Sequence, residues 1–164
     1  MARPRRTRAP AAPQPALPLA ARGFATAGHA VYRLQYRILF RTTCAACLTS
    51  EMHGWLRTVF HAIARKSGAA LYDFAGGPNY VLLTVLAKPN TAIGALVAAL
   101  KSASSRRIKK EFAESLAGTL PTDEREPFWE LRYLVMSTGD WQDADQLLAV
   151  LERFAEAGGE GAAN

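Results

Sequence analysis

The sequence predicts an α+β sandwich: a four-stranded antiparallel sheet with helices packed on one face, extended by a C-terminal helix. Three observations predict it. Apolar residues alternate strictly with polar ones in some segments, recur at helical spacing in others, and turn residues separate the two kinds of segment. The resulting order, β-α-β-β-α-β-α, is that of a ferredoxin-like sandwich with one added helix.

Each element has its own signal. Residues 1–28 are rich in Ala, Pro and Arg without an apolar period, which predicts a disordered basic tail. From Ala30, residues Tyr32, Leu34, Tyr36, Ile38 and Phe40 point one way while Arg33, Gln35, Arg37 and Arg41 point the other, so this is a strand. Its arginine face is either solvated or turned to phosphate. Thr49 or Ser50 can cap a helix reaching about Ser67, with Met52, Leu56, Val59, Phe60 and Ile63 on one stripe and Gly68 as its stop. Ala70 to Phe74 is a short strand, Gly76, Gly77, Pro78 and Asn79 supply a turn, and Tyr80 to Leu86 completes a hairpin. The glycine pair reads as turn and not phosphate cradle, because no GxGxxG or P-loop lysine accompanies it.

Pro89 and Asn90 open a second helix with Ile93, Leu96, Val97 and Leu100 facing inward, continuing to Lys110. The region from Glu114 to Glu126, with Gly118 and Pro121 among charges, reads as a loop. Phe128 to Met136 is the fourth strand, and Ser137 to Asp140 a turn. Asp140 can cap a last helix to Phe154 with Leu147, Leu148, Leu151 and Phe154 as its stripe. One folded domain over residues 29–156 follows, with a flexible end at 157–164.

The chain has 164 residues, 49% hydrophobic and 21% charged, as expected for one globular domain. Its net charge of +6 conceals a gradient. Residues 1–28 carry Arg3, Arg5, Arg6, Arg8 and Arg22 and no acid, residues 29–139 are also basic in balance, and residues 140–164 are acidic. A basic body suits a polyanionic partner, although solubility alone accounts for a mild excess. No apolar run approaches the ~20 residues that cross a bilayer, so we expect no membrane anchor and a cytoplasmic protein. The Arg-rich start has the composition of a transit peptide, but its prolines oppose an amphipathic helix. Cys44 and Cys47 form a lone CxxC before a helix, too few ligands for zinc and wrongly placed for a thioredoxin motif. They read as small buried or loop cysteines.

Lys101, Arg106, Arg107, Lys109 and Lys110, with hydroxyls from Ser102, Ser104 and Ser105, are candidate phosphate contacts, joined by Arg37 and Arg41. The alternative is a solvated helix end whose cations favour the dipole. Tyr32, Tyr36, Phe40, Tyr80, Phe128, Trp129 and Tyr133 are either core or stacking platforms for unpaired bases, and alternation favours core. Trp55 and Trp141 read as packing residues, and His29, His53 and His61 as surface or core histidines.

Four stretches, "YRLQYRILFRT", "GGPNYVLLTV", "LKSASSRRIKKEF" and "FWELRYLVMSTG", occur in an order and spacing that resembles the single-tyrosine HUH transposases of the insertion-sequence-200 type and their REP-associated relatives. The resemblance spans residues 30 to about 155. It implies a homodimer and a DNA transposase that uses Mg or Mn, held by two histidines two positions apart on the hairpin, with a tyrosine nucleophile on the last helix. Here Pro78 and Asn79 match the start of that hairpin motif, but the histidine positions are Tyr80 and Leu82. A phenol with a pKa of about 10 is a poor ligand for a hard cation, and leucine has no lone pair. The nucleophile position falls near Leu148 or Ala149, and a metal-binding glutamine position near Arg153.

The resemblance therefore implies a degenerate site with no catalytic residue, no metal and no cofactor. The expected function is binding of single-stranded or hairpin DNA or RNA without cleavage. Two alternatives remain: an active transposase with altered residues, and a protein-interaction module built on the same fold.

Overall fold

The computed structural model describes residues 24–120 and 126–138. The readings that fall on 1–23, 121–125 and 139–164 lie outside the described residues; they include the last helix from Asp140 to Phe154, Trp141 and Ala149.

A small hairpin comes first. β1 (Ala25–Ala27) pairs with β2 (Ala30–Tyr32) across a turn in which Gly28 has φ +58. The alternation of the sequence does not reveal it, because β1 is three small residues, all exposed. The alternating stretch from Ala30 is also broken at Arg33, and the long strand is β3 (Leu34–Thr42). On β3 the expected faces hold: Ile38 and Phe40 are buried while Arg37 and Arg41 are exposed.

α1 (Ser50–Lys66) forms as its caps dictate. The Thr49 hydroxyl accepts a hydrogen bond from the Met52 N–H at 3.3 Å, and Gly68, with φ +76, takes the left-handed turn that ends the helix. Its predicted stripe, Met52, Leu56, Val59, Phe60 and Ile63, is buried. α2 (Ile93–Glu111) starts later than expected: Pro89 and Asn90 sit in the turn before it, and Ala92 caps it without a side-chain hydrogen bond. A single helical turn, α3 (Ala113–Leu116), occupies part of the segment read as loop.

The hairpin that follows α1 differs from expectation at its glycines. β4 (Ala69–Gly77) includes Gly76 and Gly77, which pair with Val81 and Tyr80 of β5 (Tyr80–Ala87), so the turn is only Pro78-Asn79. Both glycines are there for space. A Cβ on Gly76 would collide with the His53 imidazole, and one on Gly77 with the Tyr80 ring. With β6 (Trp129–Thr138) the sheet has the order β4-β5-β3-β6, every pairing antiparallel, which is the ferredoxin-like arrangement.

One face of this sheet carries the core. Val81, Leu83 and Val85 of β5, Ile38 and Phe40 of β3 and Trp129 of β6 meet the stripes of α1 and α2. Phe40 stands edge-on to Phe60 at 5.7 Å and to Trp129 at 4.8 Å, the favourable arrangement for aromatic quadrupoles. Phe128 packs edge-on against Trp129 as well, so the sequence's lean towards core was right for Phe40, Phe128 and Trp129, whereas Tyr80 and Tyr133 are exposed. Trp55 packs edge-on to Phe112. Cys44 and Cys47 are buried in the β3–α1 connection, as read, and are joined as a disulfide, which the spacing alone did not indicate. Among the described residues no helix is long and apolar enough to cross a membrane.

Candidate nucleic-acid interface

Helical spacing divides the residues of α2 between core and surface. Leu96, Val97, Leu100, Ser104 and Ile108 face inward, which leaves Ser102, Arg106, Arg107 and Lys110 exposed. Ser104, read from the sequence as a hydroxyl for phosphate, is instead fully buried. It donates to the Leu100 carbonyl at 2.6 Å and accepts from the Trp129 indole N–H at 2.8 Å, satisfying the one polar atom of a core tryptophan.

The flanking polar residues fasten α2 to the fourth strand. Lys101 donates to the carbonyls of Glu130 at 2.5 Å and Leu131 at 2.9 Å and lies over the Tyr133 ring at 5.4 Å. Partial burial lowers its pKa from the ordinary lysine value, and the nearby Glu130 carboxylate partly opposes that shift. Ser105 accepts from the Phe128 N–H at 3.2 Å, and Lys109 donates to the Glu126 carbonyl. Arg106 donates to the Ser102 carbonyl one turn back.

These anchors create a groove. Ser102, Ser105, Arg106, Lys109, Lys110 and Pro127 line a cavity of about 700 Å³ between α2 and the chain entering β6. Arg107, one step further round the helix, is exposed but does not line it.

Arg37 and Arg41, grouped with these cations in the sequence reading, sit on the other face of the sheet. Direct antiparallel partners share a face, so Arg37 stands beside Thr84 and Met136, and Arg41 beside Tyr80. Arg41 is held there by Glu130, whose carboxylate accepts from its guanidinium at 2.9 and 3.2 Å. The predicted basic set is therefore two sets, one on α2 and one on the open face of the sheet.

Tyr80 and Leu82 also project from this open face, beside Arg41 and Leu39 of β3 and beside Gly77 and Ala75 of β4. Tyr80 is 37% exposed, with its ring against Gly77. One phenol and one hydrocarbon side chain do not fit a divalent metal, and no group of three or more His, Cys, Asp or Glu among the described residues could hold one. His53 lies behind the same hairpin, its Nε2 3.0 Å from the Gly77 carbonyl and its Nδ1 buried without a hydrogen bond. His29 and His61 are exposed.

Strand order and groove define a ferredoxin-like domain with a basic flank, and comparison with known proteins places it. The family described as "Transposase IS200 like" matches residues 30–149, and the chain belongs to that family. It is similar over 81% of its length, at 25% identity and TM-score 0.60, to 96% of a crystal structure described as a candidate transposase from Deinococcus radiodurans R1. A REP-associated tyrosine transposase bound to a REP hairpin also aligns, at 10% identity and TM-score 0.44, over 84% of this chain and 76% of that one. No curated protein matches.

Proposed function

We propose that this member of the transposase family binds DNA or RNA hairpins through the basic groove of α2 and does not cleave them. The observation that carries the reading is the pair Tyr80 and Leu82, alternating on the open face where the resemblance calls for two imidazoles. Neither position offers a good ligand for a metal that would polarise a phosphate, Tyr80 having only a phenol and Leu82 only a hydrocarbon, and the segment from Asp140 to Phe154 contains no tyrosine. What remains is a surface for charge and shape. Arg106, Arg107 and Lys110 supply exposed cations, Ser102 a hydroxyl, and the five arginines of residues 1–28 add to the same charge. In this reading residues 29–156 are the binding body, and Arg37 and Arg41 contribute from the second face.

The reading includes a homodimer. Among the described residues β6 ends the sheet, and Leu131, Leu134 and Met136 on it are exposed, an apolar edge of the kind that pairs with another copy.

The test is a series of gel shifts with hairpin and duplex oligonucleotides at rising salt. Affinity should fall steeply as counterions compete. Replacing Arg106, Arg107 and Lys110 together by Glu should abolish the shift, while replacing each alone by Ala should lower the salt slope by about one. Absence of binding at low salt contradicts the proposal.

A further inference from the structure

A second surface lies at the opposite edge of the sheet, on α1 and β4. Arg57, His61 and Arg65 follow one another at intervals of one helical turn and are exposed. None of their three side chains makes a hydrogen bond or ion pair among the described residues. Beside them the pairing of β4 with β5 slips between Leu71 and Asp73, and at that bulge Tyr72 is left 70% exposed. A bulge protects a sheet edge by itself; it also re-aims a side chain, and here it sets a large ring outward beside unpaired cations.

Arg57, Thr58 and His61 from the helix and Leu71, Tyr72 and Asp73 from the strand line one cavity of about 290 Å³. Its chemistry is mixed in a particular way. The helix side offers donors for an anion, the strand side offers an aromatic face and an apolar wall, and Asp73 offers an acceptor. One Asp73 carboxylate oxygen already accepts from the Phe74 N–H at 2.8 Å, which leaves the other available. A bare phosphate would meet the cations but also the carboxylate. A nucleotide satisfies all three parts, with phosphate against Arg57 and His61, base stacked on Tyr72, and an exocyclic amino group donating to Asp73.

We propose that the α1/β4 cleft binds an unpaired nucleotide, so that a single strand leaving a hairpin is held at the far edge of the sheet from α2. The proposal rests on the hairpin reading for its partner but not for its site. Among the described residues β4 and β6 are the two edges of the sheet, so the two surfaces can be disabled separately.

The experiment uses the full chain and three ligands: a blunt hairpin, the same hairpin with a short single-stranded extension carrying 2-aminopurine, and that single strand alone. Tyr72→Ala should weaken the extended hairpin and the single strand about ten-fold, leave the blunt hairpin unchanged and abolish quenching of 2-aminopurine, whereas Tyr72→Phe should retain the quenching. Arg57→Ala should weaken the same two ligands and reduce their salt dependence. Absence of quenching by the wild type, or quenching that survives Tyr72→Ala, overturns the proposal. If the blunt hairpin fails to bind while single-strand quenching still depends on Tyr72, the hairpin reading falls and this one stands.

Discussion

The two faces of the sheet are made of the same strands and obey different rules. On the covered face Ile38, Phe40, Val81, Leu83 and Val85 are all completely buried, in one core cluster with residues of α1, α2 and β6. On the open face the alternate residues of the same strands are Arg37, Leu39 and Arg41, then Tyr80, Leu82, Thr84 and Leu86, of which only Thr84 is buried. Packing determines the first set. The second is less constrained among the described residues, so its residues can be exchanged at smaller cost to the fold, and the proposed reading puts the family's missing chemistry on this face. A domain of this kind can lose reacting groups while keeping its architecture, because the two depend on different sides of each strand.

Substitution on each side should expose that difference. Phe40→Ala removes a ring wedged between Phe60 and Trp129 and should cost about 3–5 kcal/mol, read as a lower denaturant midpoint. Leu39→Ala, its neighbour on the open face, should cost only about 1 kcal/mol. Equal losses would break the comparison. Ser104→Ala probes the covered face at finer scale, since it leaves the buried Trp129 N–H without its acceptor. The expected loss is about 1–3 kcal/mol, with a change in tryptophan emission.

The smallest effect concerns Lys101 of α2, which reaches the backbone of β6. Its pKa is lowered by burial, so the folded state binds fewer protons than the unfolded state between that lowered value and the ordinary lysine value of about 10.5. Stability should therefore rise slightly with pH in that alkaline window. The cost of burying the charge is fully present below the window and is relieved above it. Lys101→Met should flatten the profile, measured by denaturation at several alkaline pH values.

The parts of this fold that were legible in the sequence are those decided locally. Thr49, the α1 stripe and Gly68 mark a helix from its own residues, and the alternation through Phe40 marks a strand and its two faces. The missed features depend on residues far away in the chain. Gly76 and Gly77 look like a turn until the rings of His53 and Tyr80 occupy the space that side chains would need. Ser104 looks like its neighbours Ser102 and Ser105 until the register of α2 turns it towards Trp129. The basic residues of the candidate site were legible by type but not by place, because charge carries no period that would separate Arg37 and Arg41 from the groove on α2. Tyr72 carried no signal at all, since a bulge has no sequence mark here.

The most direct measurement puts binding and cleavage in one sample: a labelled hairpin with single-stranded ends, incubated with the protein and Mn²⁺, then resolved natively and after denaturation. The account predicts a shifted complex that releases intact oligonucleotide. A covalent protein–nucleic acid species surviving denaturation, or shortened strands that depend on the metal, would contradict it.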